Sequence, residues 1–198
     1  MSYATLTEFK ASVGITDNTD NDALQSVLDA TDELINNYCD TKVGFGRTAS
    51  QVRYYTAPSL VFTLTDPLVS VSSLQTDDDG DGTYETTWAA TDYVLMPRNA
   101  SLDSRPYTEV DTAPNEPKLF PLTITAVKIT GVFGWPAVPS AVKQAALIQA
   151  GAVWSSRTAP FGVIGSQDLG GVMRMSRALH PEAQVLLEPY RNRFGIQA

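Results

Sequence analysis

Val127-Lys128-Ile129-Thr130-Gly131-Val132-Phe133-Gly134-Trp135-Pro136-Ala137-Val138-Pro139-Ser140-Ala141-Val142-Lys143-Gln144-Ala145 is the stretch on which the fold turns. Its first half alternates apolar and polar side chains, the period of a half-buried strand. Extended back to Thr123, it reads as the longest strand of the chain, ending at Phe133. Gly134-Trp135-Pro136 breaks that period. Pro139-Ser140 then opens a helix in which Ser140 is the expected N-cap and residues 141–157 hold no proline.

Upstream of this junction the chain changes character once. Thr5 and Glu8 have capping-box spacing, Leu6, Phe9 and Val13 share a helical face, and Gly14 suits a C-terminal stop. Leu24, Val27, Leu28, Thr31, Leu34, Ile35 and Tyr38 form a second amphipathic stripe ending near Cys39. From about residue 50 the pattern becomes strand-like. Val52–Tyr55, Leu60–Leu64, Leu68–Leu74, Thr83–Trp88 and Tyr93–Met96 read as strands, with Asp79-Gly80-Asp81-Gly82 as a hairpin turn. Residues 99–121 read as a long loop with a short strand at Tyr107–Val110.

Downstream, residues 141–157 carry Lys143 as the only charge before Arg157, and Ala145, Ala146, Ala150, Gly151 and Ala152 make the helix small-sided. A helix apolar nearly all round is buried on more than one side. The segment that follows, residues 158–177, is a Gly-rich loop with Phe161, Val163, Ile164, Leu169, Val172, Met173 and Met175. Two readings stay open: a buried central helix with a disordered loop, or a surface completed by neighbouring subunits. Pro181 suits the first turn of a last helix, and Pro189 should interrupt it. The expected architecture is α+β: a helical bundle from the N- and C-terminal helices around a central β-rich insertion. It is read as one domain over 1–198, with N-terminal helices in 1–48, the insertion in 49–135 and C-terminal helices in 136–198.

Composition narrows the function. A chain of 198 residues that is 43% hydrophobic can bury a core, which excludes wholesale disorder. With 22 acidic against 14 basic residues, the net charge of -8 makes the chain a poor candidate for gripping nucleic acid, since neutralising phosphates needs clustered positive charge. One cysteine and one histidine cannot form a disulfide or close a structural zinc site. No apolar run reaches membrane-spanning length, and Met1–Thr5 does not open a signal peptide, so a soluble protein of a reducing cytoplasm is expected.

Candidate chemistry is sparse. Asp77, Asp79 and Asp81 stand at positions one, three and five of a calcium-loop register, with Gly82 at six. Position twelve is Trp88 where a bidentate Glu is required, so the acidic β-turn is preferred and no metal or cofactor is expected. His180 has no partner for catalysis and reads as a helix-start residue; Cys39 reads as a small buried hydrophobe. Trp88, Trp135 and Trp154 read as core anchors. No nucleophile elbow or phosphate loop is present, and no enzyme is expected.

Several segments together carry a resemblance. They are Tyr3-Ala4-Thr5-Leu6, Asp22-Ala23-Leu24 leading to Leu34-Ile35-Asn36-Asn37-Tyr38-Cys39, and Tyr93-Val94-Leu95 with Arg105-Pro106-Tyr107. The Val127–Ala145 stretch follows, then Ala159-Pro160-Phe161-Gly162-Val163 and Leu187-Glu188-Pro189-Tyr190-Arg191. In this order they resemble the head–tail connector proteins of long-tailed bacteriophages, the head-completion adaptor rings under the portal. Where that family often has Asp before the proline of the last helix, this chain has His180. The resemblance implies a virion structural protein at the head–tail junction, made in the bacterial host cytoplasm. It implies a ring of twelve copies with the portal and a stopper or tail-completion protein as partners, and genomic DNA passing through its channel without sequence-specific binding. Interface candidates are Ala146, Gly151, Phe161, Val163, Ile164, Met173, Met175 and Tyr190. The rival readings are a stopper or tail-terminator of the same neck, and a calcium-dependent carbohydrate-binding module.

Overall fold

The computed structural model describes residues 2–114, 118–157, 163–165, 172–174 and 179–191. The chain divides into two compact units, with boundaries after Thr41 and Ala137. The second unit starts at Lys42, and its first strand at Ser50.

The first unit joins the two ends of the chain. Helix α1 (Leu6–Val13) starts on a complete capping box: the Glu8 amide donates to the Thr5 hydroxyl at 3.2 Å, and the Thr5 amide donates to Glu8 Oε2 at 2.8 Å. Gly14 ends it in the left-handed region. Helix α2 (Asn21–Cys39) follows the sequence stripe, with Leu24, Leu28, Thr31, Asp32, Ile35 and Cys39 buried. Helix α3 (Ser140–Ser156) contacts α1, α2 and α4 (Pro181–Leu187), and a short 3-10 turn (Glu188–Tyr190) takes over where Pro189 ends α4. Ser140 is not the cap: Pro139, extended at φ -60° and ψ 141°, holds that position, and Ser140 is the first helical residue. Proline fits there because its fixed φ suits the approach and its missing N–H is not needed. Phe9, Leu24, Leu28, Ala4 and Ala150 form one buried cluster, each large side chain contributing about 1.5–3 kcal/mol by leaving water.

The second unit is an antiparallel sheet of six strands. They are β1 (Ser50–Tyr55), β2 (Phe62–Thr76), β3 (Thr86–Trp88), β4 (Tyr93–Met96), β5 (Tyr107–Thr112) and β6 (Val127–Phe133). The order is β1-β6-β2-β5-β4, with β3 also on β2. Two corrections follow. The expected strands at 60–64 and 68–74 merge, from Phe62 on, into one strand of 15 residues, because β2 pairs first with β5 and then with β6; Leu60 and Val61 stay outside it. Pro67 lies inside it, where the register to β5 shifts between Leu64 and Leu68, so its missing N–H interrupts no regular ladder. The longest strand is therefore β2; β6 has 7 residues, since Thr125 turns left-handed (φ 57°) and the Ala126 amide closes a turn onto the Thr123 carbonyl at 3.3 Å.

The sheet core contains Leu68, Leu74, Val110, Val127, Ile129 and Phe133. Trp88 stacks on Phe120 at 4.5 Å, its indole N–H donating to the Thr76 hydroxyl at 3.1 Å. Gly134 (φ +100°) marks the exit from β6: a Cβ there would sit 1.8 Å from the Gly46 carbonyl oxygen. A last pair of short strands, β7 (Val163–Gly165) and β8 (Val172–Arg174), forms a separate antiparallel ribbon inside the stretch expected to be all loop. The fold class is α+β.

Candidate assembly surfaces

Helix α3 is the element that sequence reading singled out, and its packing explains its composition. Val142, Ala145, Ala146, Gln149 and Ala150 are buried, because α1, α2 and α4 all contact this one helix. Small side chains let those neighbours approach closely, which is why alanine recurs. Gln149 is a buried polar exception with a purpose: its Oε1 accepts the His180 amide at 2.7 Å, an orphan donor at the start of α4. His180 thus stands at the helix start, as its place before Pro181 implies. Lys143 donates to Glu8 Oε1 at 2.8 Å, tying α3 to α1; that hydrogen bond, with those from Thr5, holds the Glu8 carboxyl down at about 2.

The interface candidates separate on this framework. Ala146 is fully buried in its own chain, and a neighbouring copy cannot reach it without opening the helical unit. Gly151 is only partly covered; a Cβ there would meet nothing nearer than Val13 Cγ1 at 4.0 Å. Tyr190 lies partly exposed on the 3-10 turn, beside Arg191, whose guanidinium sits 5.0 Å over the Tyr38 ring. Val163, Ile164 and Met173 fall on the β7–β8 ribbon. Phe161 and Met175 lie outside the described residues. Val185, an apolar residue of the last helix, is 74% exposed on α4.

The acidic turn is well ordered by its own backbone. The Gly80 amide donates to Asp77 Oδ1 at 2.7 Å and the Gly82 amide to Asp77 Oδ2 at 2.8 Å. Burial pushes the Asp77 carboxyl up, but these amides, with Asp81's, outweigh it and the net displacement is downward. Carboxylate oxygens of Asp77, Asp79 and Glu85 come within 4.8 Å of one another, whereas Asp81 stands apart. The set brought together therefore differs from the expected one: Glu85 replaces Asp81. Asp77 is the hub of a β-hairpin turn. Cys39 is buried, and burial pushes its thiol up to about 12, which leaves it unreactive at neutral pH.

The sheet unit carries surface that composition did not reveal. The Phe120 amide donates to the Leu60 carbonyl at 2.8 Å, which brings the loop before β2 beside the 118–126 segment. Leu60, Val61, Leu119, Leu122 and Ile124 are all exposed there, Ile124 by 79%. Leu60, Val61 and Ile124 stand in stretches whose pattern reads as strand, yet they lie in loops just outside β2 and β6. Among the described residues, no helix is long and apolar enough to cross a membrane.

Comparison with known proteins places these features. Residues 3–67 match the family model described as phage gp6-like head-tail connector protein, a stretch covering α1, α2, β1 and the start of β2. No curated protein sequence matches the chain. Among solved structures, a chain from the neck of an empty gene transfer agent particle, computed with sixfold symmetry, superposes with a TM-score of 0.57 at 18% identity. The match covers 96% of this chain and 89% of that one, and the same values hold for a chain from the virion of the native particle. A chain from the native particle's neck, computed with twelvefold symmetry, gives 0.53 at 21% identity, over 94% of this chain and 87% of that one. These identities show a shared fold. The resemblance to head–tail connector proteins is thereby shown, by the family model over residues 3–67 and by the fold shared with chains of neck particles.

Proposed function

We propose that this chain, connector-like in sequence over residues 3–67 and in fold over nearly its whole length, is a head-to-tail adaptor of the virion neck. In this reading twelve copies form a ring beneath the portal and present the far face to a stopper or tail component, leaving a channel for DNA. The observation that carries it is the fold shared, over 94% of the chain, with a chain from a twelvefold neck.

The physical properties of the chain support the reading. A closed cyclic ring uses a heterologous contact, one surface against a different one on the next copy. The four helices would act as the bundle at the ring, with Gly151, Tyr190 and the 158–177 segment (Phe161, Val163, Ile164, Met173, Met175) toward a neighbour or the portal. A net charge of -8 suits a channel wall that repels DNA and lets it slide. Assembly would take place in the bacterial host cytoplasm.

Coexpression with portal in the absence of tail proteins tests the proposal. A ring added to the portal, seen by electron microscopy, is the expected result. Binding only to portals already carrying another ring would assign a stopper, and binding only to tail tubes a terminator; either outcome overturns the adaptor assignment.

A further inference from the structure

The loop joining β4 to β5, residues 97–106, is held in place by its own backbone. The Ala100 amide donates to the Pro97 carbonyl at 2.9 Å, the Leu102 amide to Asn99 at 3.0 Å and the Arg105 amide to Ala100 at 2.8 Å, and the Ala100 side chain is buried. Leu102 is nonetheless 83% exposed, more than any other large apolar side chain among the described residues. A loop fixed in this way holds that side chain out in water instead of folding it inward. Arg98 and Arg105 are exposed on either side of it in the chain, and among the described residues neither is in an ion pair. The loop thus sets two cations against the carboxylate of Asp103, in a chain whose net charge is -8.

The complementary character is gathered elsewhere on the same unit. Leu119, Leu122 and Ile124 are exposed on the segment leading into β6, with Leu60 alongside. The acidic turn lies against that segment: a Cβ on Gly80 would stand 3.3 Å from Cγ2 of Thr123, the residue between Leu122 and Ile124. Asp78, Asp79 and Asp81 of the turn are exposed, and none of them is in an ion pair among the described residues. The two surfaces are separate. Tyr107, where β5 begins, pairs with Leu68 in the middle of β2, whereas Leu60 precedes that strand and the acidic turn follows it. One copy therefore carries a basic apolar knob in one place and an acidic apolar seat in another. An apolar centre with charges at its rim is the anatomy of a protein interface, and opposite signs decide which surface meets which.

We propose that the 97–106 loop of one copy docks on the 119–124 segment and acidic turn of the next, with Leu102 packed on Leu122 and Ile124, and Arg98 and Arg105 facing the carboxylates of the turn. This docking rests on the ring reading above, since a closed ring repeats one heterologous contact between two different surfaces of identical chains. It places that contact on the sheet unit and gives the acidic turn a partner other than a metal ion.

The test uses the full chain and reads assembly by mass photometry across a concentration series, alone and with portal. Wild-type rings are expected; a wild-type chain that stays monomeric even with portal present overturns the ring reading, and this docking with it. Where wild type assembles, Leu102→Asp alone, or Asp79→Lys with Asp81→Lys, should raise the concentration needed at least about tenfold. Adding Arg98→Glu and Arg105→Glu to the lysine pair should recover assembly. Either variant forming rings like wild type, while circular dichroism shows it folded, overturns the docking and leaves the ring reading standing; if such a variant loses only its binding to portal, the portal is the occupant and not a second copy. Should the variants fail to fold, Leu102→Cys chains mixed with Ile124→Cys chains decide instead. A disulfide between the two kinds of chain is the expected result; no such disulfide in assembled rings overturns the docking.

Discussion

Asp32→Asn should stabilise the protein at neutral pH, and its pH dependence tests the account of the helical unit. Asp32 lies on α2 and is only 7% exposed. Its Oδ2 accepts the Tyr3 amide at 3.1 Å, whereas Oδ1 is buried without a partner. Burial pushes its carboxyl from an ordinary 3.8 to about 6; the Tyr3 amide and Ser2 hydroxyl pull the other way, and Asp29 adds to the rise. At pH 7 the group is therefore ionised in a place that favours the neutral form. A displacement of this size corresponds to a cost of up to about 3 kcal/mol. Between pH 4 and 6 the folded chain holds more protons here than the unfolded one, so stability from this group falls as pH rises through that window. Asparagine has the same shape, keeps an acceptor for the Tyr3 amide and carries no charge. Thermal melts of wild type and variant from pH 4 to pH 7.5 isolate the group, since other carboxylates cancel in the difference. The variant should melt roughly 6–12 °C higher at pH 7, with the gap closing toward pH 4. Equal or lower stability of the variant at pH 7, or a gap that does not change with pH, would refute the reasoning.

Two further perturbations probe the packing. Gly134→Ala puts a methyl group against the Gly46 carbonyl at a left-handed backbone position, so the sheet unit should lose about 3 kcal/mol or more, measured by urea unfolding. Ala146→Leu overfills a closed site and should cost about 1–3 kcal/mol in the same assay, whereas Gly151→Leu, with open space around it, should leave stability nearly unchanged and weaken ring assembly if that side meets a neighbour.

The local signals in the chain were strong wherever one residue type has one physical use. Thr5 with Glu8 specified a cap, Gly14 a left-handed stop, Pro189 an interruption, and the stripe from Leu24 to Tyr38 a buried face; all stand as read. The α+β class and the connector resemblance came from the same local patterns taken in order. The tertiary structure decided what depends on partners distant in sequence. Pro67 looks like a strand breaker until the bulge between β2 and β5 is seen, and Thr123–Ala126 looks extended until its turn is known. Ala146 and Gly151 are both small residues on α3, yet one is sealed by neighbouring helices and the other is not. Likewise, Gly80 and Thr123 are remote in the chain until folding lays the acidic turn against the exposed segment from Leu119 to Ile124. Local conformation is set by short-range sterics and hydrogen bonding that a few residues encode. Burial and electrostatic environment are set by segments that meet only when the chain has folded.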